Sequence, residues 1–275
     1  VRPRLGVITS ICPVHLEGVG SLDGVREAKG ELLRHITTGG FAVLPAEEEK
    51  LIAMARDAGV KVITFGEGEA DFRISDFAST LSGARFRLDA PWGPVQVEAP
   101  LGGMHQARNA AAAIAAATLV GVPLKEAALA LRGATLPGER SRLEQHGEIT
   151  LFNDCYNASP SSMEAVIEMV QSSWEGPFHL LLGEMRELGD ESPLFHERLG
   201  EVAGNAGAVS ITYVGDFGPD FERGVMRAGT VCSLVMTPQE APLFVNKALS
   251  AGDLVVVKGS RGVHLERALS LINIS

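Results

Sequence analysis

The sequence predicts an α/β protein made of two consecutive sheet units, and three observations carry that expectation. Apolar runs of strand length alternate with amphipathic stretches of helix length through most of the chain. The two units are separated between Gly133 and Gly147, where glycine, proline and charged residues collect. The 275 residues also exceed the roughly 100–200 residues usual for one domain, leaving room for two cores.

In chain order, the first half reads as strand at Leu5–Ile11, helix at Leu22–Ile36, strand at Gly40–Leu44, helix at Glu47–Ala58 and strand at Lys61–Phe65. That βαβαβ rhythm predicts a parallel sheet. From Asp71 to Ala99 the text shortens to "FRISDFAST", "ARFRLDA" and "PVQVEA", with a turn at Pro91–Pro94. Such alternation predicts a small antiparallel sheet attached to the first unit. The stretch "GGMHQARNAAAAIAAATLVGV" follows; alanine favours helix, and its small side chain allows close packing on a sheet. A second helix, Leu124–Leu131, comes after Pro123.

The segment "RGATLPGERSRLEQHGE", carrying Gly133, Pro137, Gly138 and Gly147, reads as an interdomain hinge. Beyond it the βα alternation resumes. Strands are expected at Ile149–Asn153, Phe178–Leu182, Ser210–Val214, Thr230–Val235 and Leu254–Val257. Helices are expected at Ser161–Gln171, Pro193–Ala206, Phe221–Ala228, Pro238–Ser250 and Val263–Ile272. This is the pattern of a doubly wound sheet, in which ligands gather beyond the carboxyl ends of the strands.

A formal charge of −10 and an isoelectric point near 5.2 argue against a broad nucleic-acid surface, because phosphate backbones are bound through clustered lysine and arginine. No run approaches the roughly 18 apolar residues of a membrane span. Cys12, Cys155 and Cys232 are odd in number and far apart, which fits reduced thiols and a cytoplasmic setting. A monomer is expected.

The strand ends of the second unit carry the polar residues. They read "FNDCYNASPSSM", "LLGEMRELGDES" and "VVVKGSRG", and loops after the strands of one sheet open on one edge. Asp154, Asn157, Glu184, Lys258, Ser260 and Arg261 are therefore candidates for one crevice. Taken singly, Asp154 and Ser159 also suit turn or helix-cap roles, and "KGSR" a polar turn. In the first unit, "HLEGVGSLDGVREAKGEL" sets His15 and Lys29 apart by 14 positions with no metal motif around them. A lone lysine on a helix is ordinarily solvated, and a lone histidine after a strand ordinarily caps or packs. His105 and Asn109, in "HQARN", equally suit helix capping.

Together these loops, in this order and spacing, resemble the Mur ligase family of peptidoglycan synthesis along essentially the whole chain. Within the family, "DCYNASPSSM", "GEMRELG" followed by His196, and "VKGSRG" are similar to the ligases that add D-alanyl-D-alanine. The N-P-R motif of the diaminopimelate- and lysine-adding relatives is absent. The resemblance implies that residues 1–138 are the later part of a P-loop-type central ATPase domain with its small antiparallel sheet. Residues 139–275 would be the Rossmann-like, doubly wound C-terminal domain.

It also implies roles. Lys29 would be carbamylated and, with His15, would hold Mg²⁺; a carbamate supplies the hard oxygen that magnesium prefers. Asn109 would approach the base of ATP, although Gln106 stands where the family's first asparagine sits. Arg140, with Arg142 as competitor, would reach the γ-phosphate. Asp154 would bind the ribose, with Tyr156 and Asn157 beside the nucleotide. Asn157, Ser159, Lys258, Ser260 and Arg261 would face the substrates, UDP-MurNAc-tripeptide and D-Ala-D-Ala. The implied activity is ATP-dependent amide-bond formation through an acyl phosphate, with hinge closure excluding water.

None of the six lysines, at 29, 50, 61, 125, 247 and 258, follows a glycine, so the P-loop G-x-x-x-x-G-K-[ST] is missing. In the family, that loop, the uridine-nucleotide domain and a magnesium-binding glutamate precede the segment matching Val1. The chain is therefore expected to be the back part of a longer protein, inactive by itself, with Lys29 unmodified. Rival readings are another Mur-type or folylpolyglutamate-type amide ligase, or a non-catalytic nucleotide-binding module. A dinucleotide oxidoreductase is disfavoured because no G-x-G-x-x-G follows a strand.

Overall fold

The fold is that of a computed structural model, which describes residues 2–13, 16–100, 102–134 and 141–273, apart from the side chains of Leu16 and Glu17. It divides into two compact units, 1–135 and 136–275.

In the first unit the strands β1 (Leu5–Val7), β2 (Phe41–Pro45), β3 (Lys61–Gly66), β4 (Phe72–Thr80), β5 (Gly83–Ala90) and β6 (Gly93–Ala99) lie side by side in sequence order. The first four run parallel, and β4–β5–β6 is an antiparallel meander. The short alternating segments thus extend the parallel sheet, joined to it through Phe65 opposite Phe72 and Gly66 opposite Arg73. Successive strand residues face opposite sides, and β2 shows what that does. Ala42 and Leu44 bury against Leu33, Leu51 and Ala55, from helices α2 (Leu22–His35) and α3 (Glu49–Asp57). Val43 joins Phe65, Phe86 and Leu88 beneath α4 (Met104–Leu119) and α5 (Leu124–Ala130). The alanine run of α4 supplies five fully or almost fully buried positions to that face, Ala107, Ala110, Ala111, Ala112 and Ala115, which is why the helix sits so close to the strands. A one-turn helix, α1 (Leu16–Val19), precedes α2, whose N-cap Ser21 accepts from the Gly24 amide at 3.1 Å.

The second unit holds β7 (Arg142–His146), β8 (Ile149–Asp154), β9 (Phe178–Gly183), β10 (Ser210–Val214), β11 (Ser233–Val235) and β12 (Leu254–Lys258), in the order β11-β10-β9-β12-β8-β7. All pair in parallel except β7, which pairs antiparallel with β8. Part of the expected hinge is therefore an edge strand. Val214, Leu181, Val255 and Val257 pack with α9 (Pro242–Ala248) and α10 (Glu266–Leu269). On the other face Tyr213 stacks on Phe221 of α8 (Gly218–Arg227) and meets His196 of α7 (Ser192–Gly204) edge-on. The last helix is shorter than expected. Residues 261–263 form a 3₁₀ turn, and His264 adopts a left-handed conformation (φ 61°) that breaks it from α10. The strands expected at Leu5–Ile11 and Thr230–Val235 also shrink to three residues each.

Candidate functional site

The carboxyl edge of the second sheet is where the sequence-nominated residues meet. Parallel register sets Lys258, the last residue of β12, directly beside Asp154, the last residue of β8. The Lys258 ammonium donates to Asp154 Oδ2 at 2.6 Å and to the Asn157 carbonyl at 2.9 Å, and Lys258 is only 3% exposed. A buried ammonium is tolerated only when paired and hydrogen-bonded, and both conditions hold. The other Asp154 oxygen, Oδ1, accepts from the Ser141 amide at 3.0 Å. Asp154 thus joins β8, β12 and the start of β7.

The loop after β9 is tied in through Glu184. Its amide donates to the Val214 carbonyl, its carbonyl accepts from Ser260, and its Oε2 accepts from the Asp216 amide at 3.2 Å. The loops after β9, β10 and β12 therefore meet on one residue, Glu184. The Arg186 amide donates to Ser260 Oγ at 3.0 Å, and the Arg186 Nε to Glu184 Oε1 at 2.9 Å. Arg261 is exposed and lies over the Tyr156 ring, 5.2 Å from its centroid, a cation–π arrangement. Asn157 is exposed.

Ser159 is the N-cap of α6 (Pro160–Ser173), in a reciprocal capping box with Ser162. Its hydroxyl is already shared with the Ser162 amide and Ser161 Oγ. His196 orients the neighbouring loop. Its Nε2 accepts from the Met185 amide at 2.9 Å and its Nδ1 donates to the Ser192 carbonyl at 2.6 Å. Burial lowers its pKa, against a smaller opposing pull from that carbonyl and from Glu184 and Asp220. Burial also raises the pKa of Tyr213, assisted by Glu184, Asp220 and Asp216.

The first unit holds the other candidates. Lys29 donates to the Ser10 carbonyl at 2.9 Å. Asn109 is exposed, with its amide 3.4 Å from Gln106 Oε1. Between Gln106 and Asn109, Arg108 binds Glu47 after β2 and Glu67 after β3, each at 2.7 Å. Burial works against the Arg108 charge, but the two carboxylates outweigh it and raise its pKa. Among the described residues no group of three or more His, Cys, Asp or Glu side chains could hold a metal ion. Of the two residues nominated for magnesium, only Lys29 is among them. His15 and Arg140 lie outside the described residues, and Arg142 is exposed on β7.

Sequence reasoning nominated neither Arg108 nor Arg186. Each sits inside a quoted motif, so the signal was an arginine next to nominated residues. Among the described residues no helix is long and apolar enough to cross a membrane.

Comparison with known proteins fits this geometry. Residues 1–117 match the Mur ligase middle domain, and residues 141–261 match the family described as Mur ligase, glutamate ligase domain. UDP-N-acetylmuramoyl-tripeptide–D-alanyl-D-alanine ligases from Haemophilus influenzae and Bacillus subtilis are 29% and 31% identical to this chain over 97% and 96% of its length. The chain spans 58% of each of those relatives. A crystal structure of MurF from Acinetobacter baumannii superposes with a TM-score of 0.91 at 28% identity, covering 99% of this chain and 60% of that one. With both units matched, and with the strand-end motifs gathered at one edge of the second sheet, the chain belongs to the Mur ligase family.

Proposed function

We propose that this chain supplies the middle-domain and C-terminal-domain residues of an ATP-dependent ligase that joins D-alanyl-D-alanine to UDP-N-acetylmuramoyl tripeptide. The observation that carries the reading is the convergence of Asp154, Asn157, Lys258, Ser260 and Glu184 at one sheet edge, in a chain 29% and 31% identical to relatives of that name.

The reaction has two steps. The terminal carboxylate of the tripeptide attacks the γ-phosphorus of ATP, the bond to the leaving oxygen breaks, and ADP departs from an acyl phosphate. The amine of D-alanyl-D-alanine then attacks the acyl carbon, loses a proton and expels phosphate. Activation is required because a carboxylate's charge repels a nucleophile.

Asp154 is suited to the ribose of ATP. Each of its oxygens has one described partner, and a carboxylate offers about four acceptor sites, so a hydroxyl can still donate to it. Lys258 orients Asp154 and pins the Asn157 carbonyl, and so positions the loop that also carries Tyr156. Asn109 is assigned to the base and Arg140 to the γ-phosphate, where a delocalised cation stabilises transferring charge. Ser260 and Arg261 face the incoming amine component. Ser159, being committed to its helix cap, acts on substrate through the shape of the α6 entry. Magnesium remains tied to His15 and a carbamylated Lys29, by resemblance alone.

Phosphate release by the full-length product of the reading frame tests the reading, with UDP-MurNAc-tripeptide, ATP, Mg²⁺ and one amine at a time. Release that depends on D-alanyl-D-alanine is expected. Dependence on diaminopimelate, lysine or glutamate instead overturns it in favour of another amide ligase of the same fold. Residues 1–275 alone, which have no P-loop, are expected to release none.

A further inference from the structure

The assignment above leaves one cation at the second unit's sheet edge without a task. Lys258 is buried and saturated by Asp154 and Asn157, and Arg261 rests on Tyr156. Arg186 differs from both. Its Nε is fixed to Glu184 at 2.9 Å, while Nη1 and Nη2 donate to no described residue. Its side chain is 53% exposed.

The base of this guanidinium is held on every side. The Arg186 amide is bound by Ser260 Oγ, and Glu184 is itself held by the Asp216 amide and by backbone bonds to Val214 and Ser260. Gly262 makes the remaining room. A Cβ there would lie 2.1 Å from Arg186 Nη1 and 2.7 Å from Cζ, so only glycine lets the guanidinium lie against the 3₁₀ turn of residues 261–263. The result is a planar fork, anchored by one nitrogen, with its two terminal nitrogens available. That is the geometry a carboxylate takes up in a bidentate pair.

We propose that Arg186 is a specificity-determining residue whose Nη1 and Nη2 receive the carboxylate of the incoming D-alanyl-D-alanine. The inference rests on the proposed ligase reading. Chemistry selects the carboxylate. The dipeptide's amine has to stay unprotonated and free to attack the acyl phosphate, so the far end is the only charged handle by which it can be held. Anchoring that end sets the reach of the amine and excludes amines that lack a carboxylate at the same distance.

Steady-state kinetics in the full-length protein test this, comparing D-alanyl-D-alanine with its C-terminal amide. The wild type is expected to favour the free carboxylate in kcat/KM by about 10- to 100-fold, the usual strength of a hydrogen bond to a charged group. Arg186→Gln should raise KM for the dipeptide by a similar factor, on the order of 10-fold or more, and erase most of the preference. Its KM for ATP and for the uridine-linked tripeptide should not change, and Arg186→Lys should recover part of the loss.

Gly262→Ala keeps every charge and displaces only the guanidinium, so it should raise the dipeptide KM in the same way; it carries the test if Arg186→Gln misfolds. An unchanged preference in the folded variants overturns the proposal, as does a rise confined to the KM of ATP or the tripeptide. A wild type that turns over no D-alanyl-D-alanine sinks the ligase reading as well, which separates the two failures.

Discussion

Lys258 and Asp154 show how strand register becomes chemistry. The two residues are 104 positions apart but adjacent across β12 and β8. Removing one member of a buried pair leaves the other charge uncompensated, at a cost of about 3–5 kcal/mol. Lys258→Met should therefore lower unfolding stability by about that much, and Lys258→Met combined with Asp154→Asn by less than the sum of the single changes. Urea unfolding of the four proteins checks this.

A second buried chain lies at the opposite edge. His179 is fully buried on β9, its Nδ1 2.8 Å from Ser210 Oγ and its Nε2 2.9 Å from Asp253 Oδ2, which also accepts from the Ser250 amide. His179→Ala leaves Asp253 with the Ser250 amide alone of these two partners and should cost about 2–4 kcal/mol by the same measurement.

His196 predicts a pH dependence. Its folded pKa lies below the ordinary 6.5, so between the two values the unfolded chain binds more protons than the folded one. Its contribution is complete above about pH 6.5 and fades as the pH falls toward the lowered value. Stability should fall over that window, and His196→Asn should flatten the fall. Trp174 reports on the second unit once Trp92 is replaced by phenylalanine, because each unit contains one tryptophan.

Among the elements, α7 and α8 depend on small residues. A Cβ at Gly224 would lie 1.8 Å from the Glu197 carbonyl oxygen, and one at Gly200 would lie 2.0 Å from the Phe221 carbonyl oxygen. Both obstacles are backbone, so the helices have to separate to admit a methyl group. Gly224→Ala should destabilise the second unit by about 1–3 kcal/mol or more, despite alanine's better helix propensity; its urea midpoint measures this.

Strands and helices with strong periodicity were legible from sequence, and so was the meeting of the strand-end loops, because parallel topology forces it. Strand β7 was not. "RLEQH" alternates weakly, has one partner strand and is largely solvent-facing, so nothing apolar marks it. The anchoring of Arg186 was equally hidden, since it depends on Glu184, Ser260 and Gly262 meeting across the sheet edge.

For the whole molecule, the two units divide the candidate residues. The first presents Lys29, Asn109 and the Glu47–Arg108–Glu67 cluster. The second gathers Asp154, Lys258, Glu184 and Arg186 at one sheet edge. Family membership follows from both units together, whereas the proposed choice of amine rests on the second. Folylpolyglutamate synthase from Mycobacterium tuberculosis shares the fold at a TM-score of 0.74 and 16% identity, and a shared fold does not by itself fix a substrate.

The most direct measurement is therefore product identification by mass spectrometry after the full-length protein is incubated with UDP-MurNAc-tripeptide, ATP, Mg²⁺ and an equal mixture of D-alanyl-D-alanine, diaminopimelate, lysine and glutamate. The account predicts one amide product, the tripeptide precursor extended by D-alanyl-D-alanine, with one ADP and one phosphate formed per product. A precursor extended by any of the other three amines, with none carrying D-alanyl-D-alanine, would contradict it.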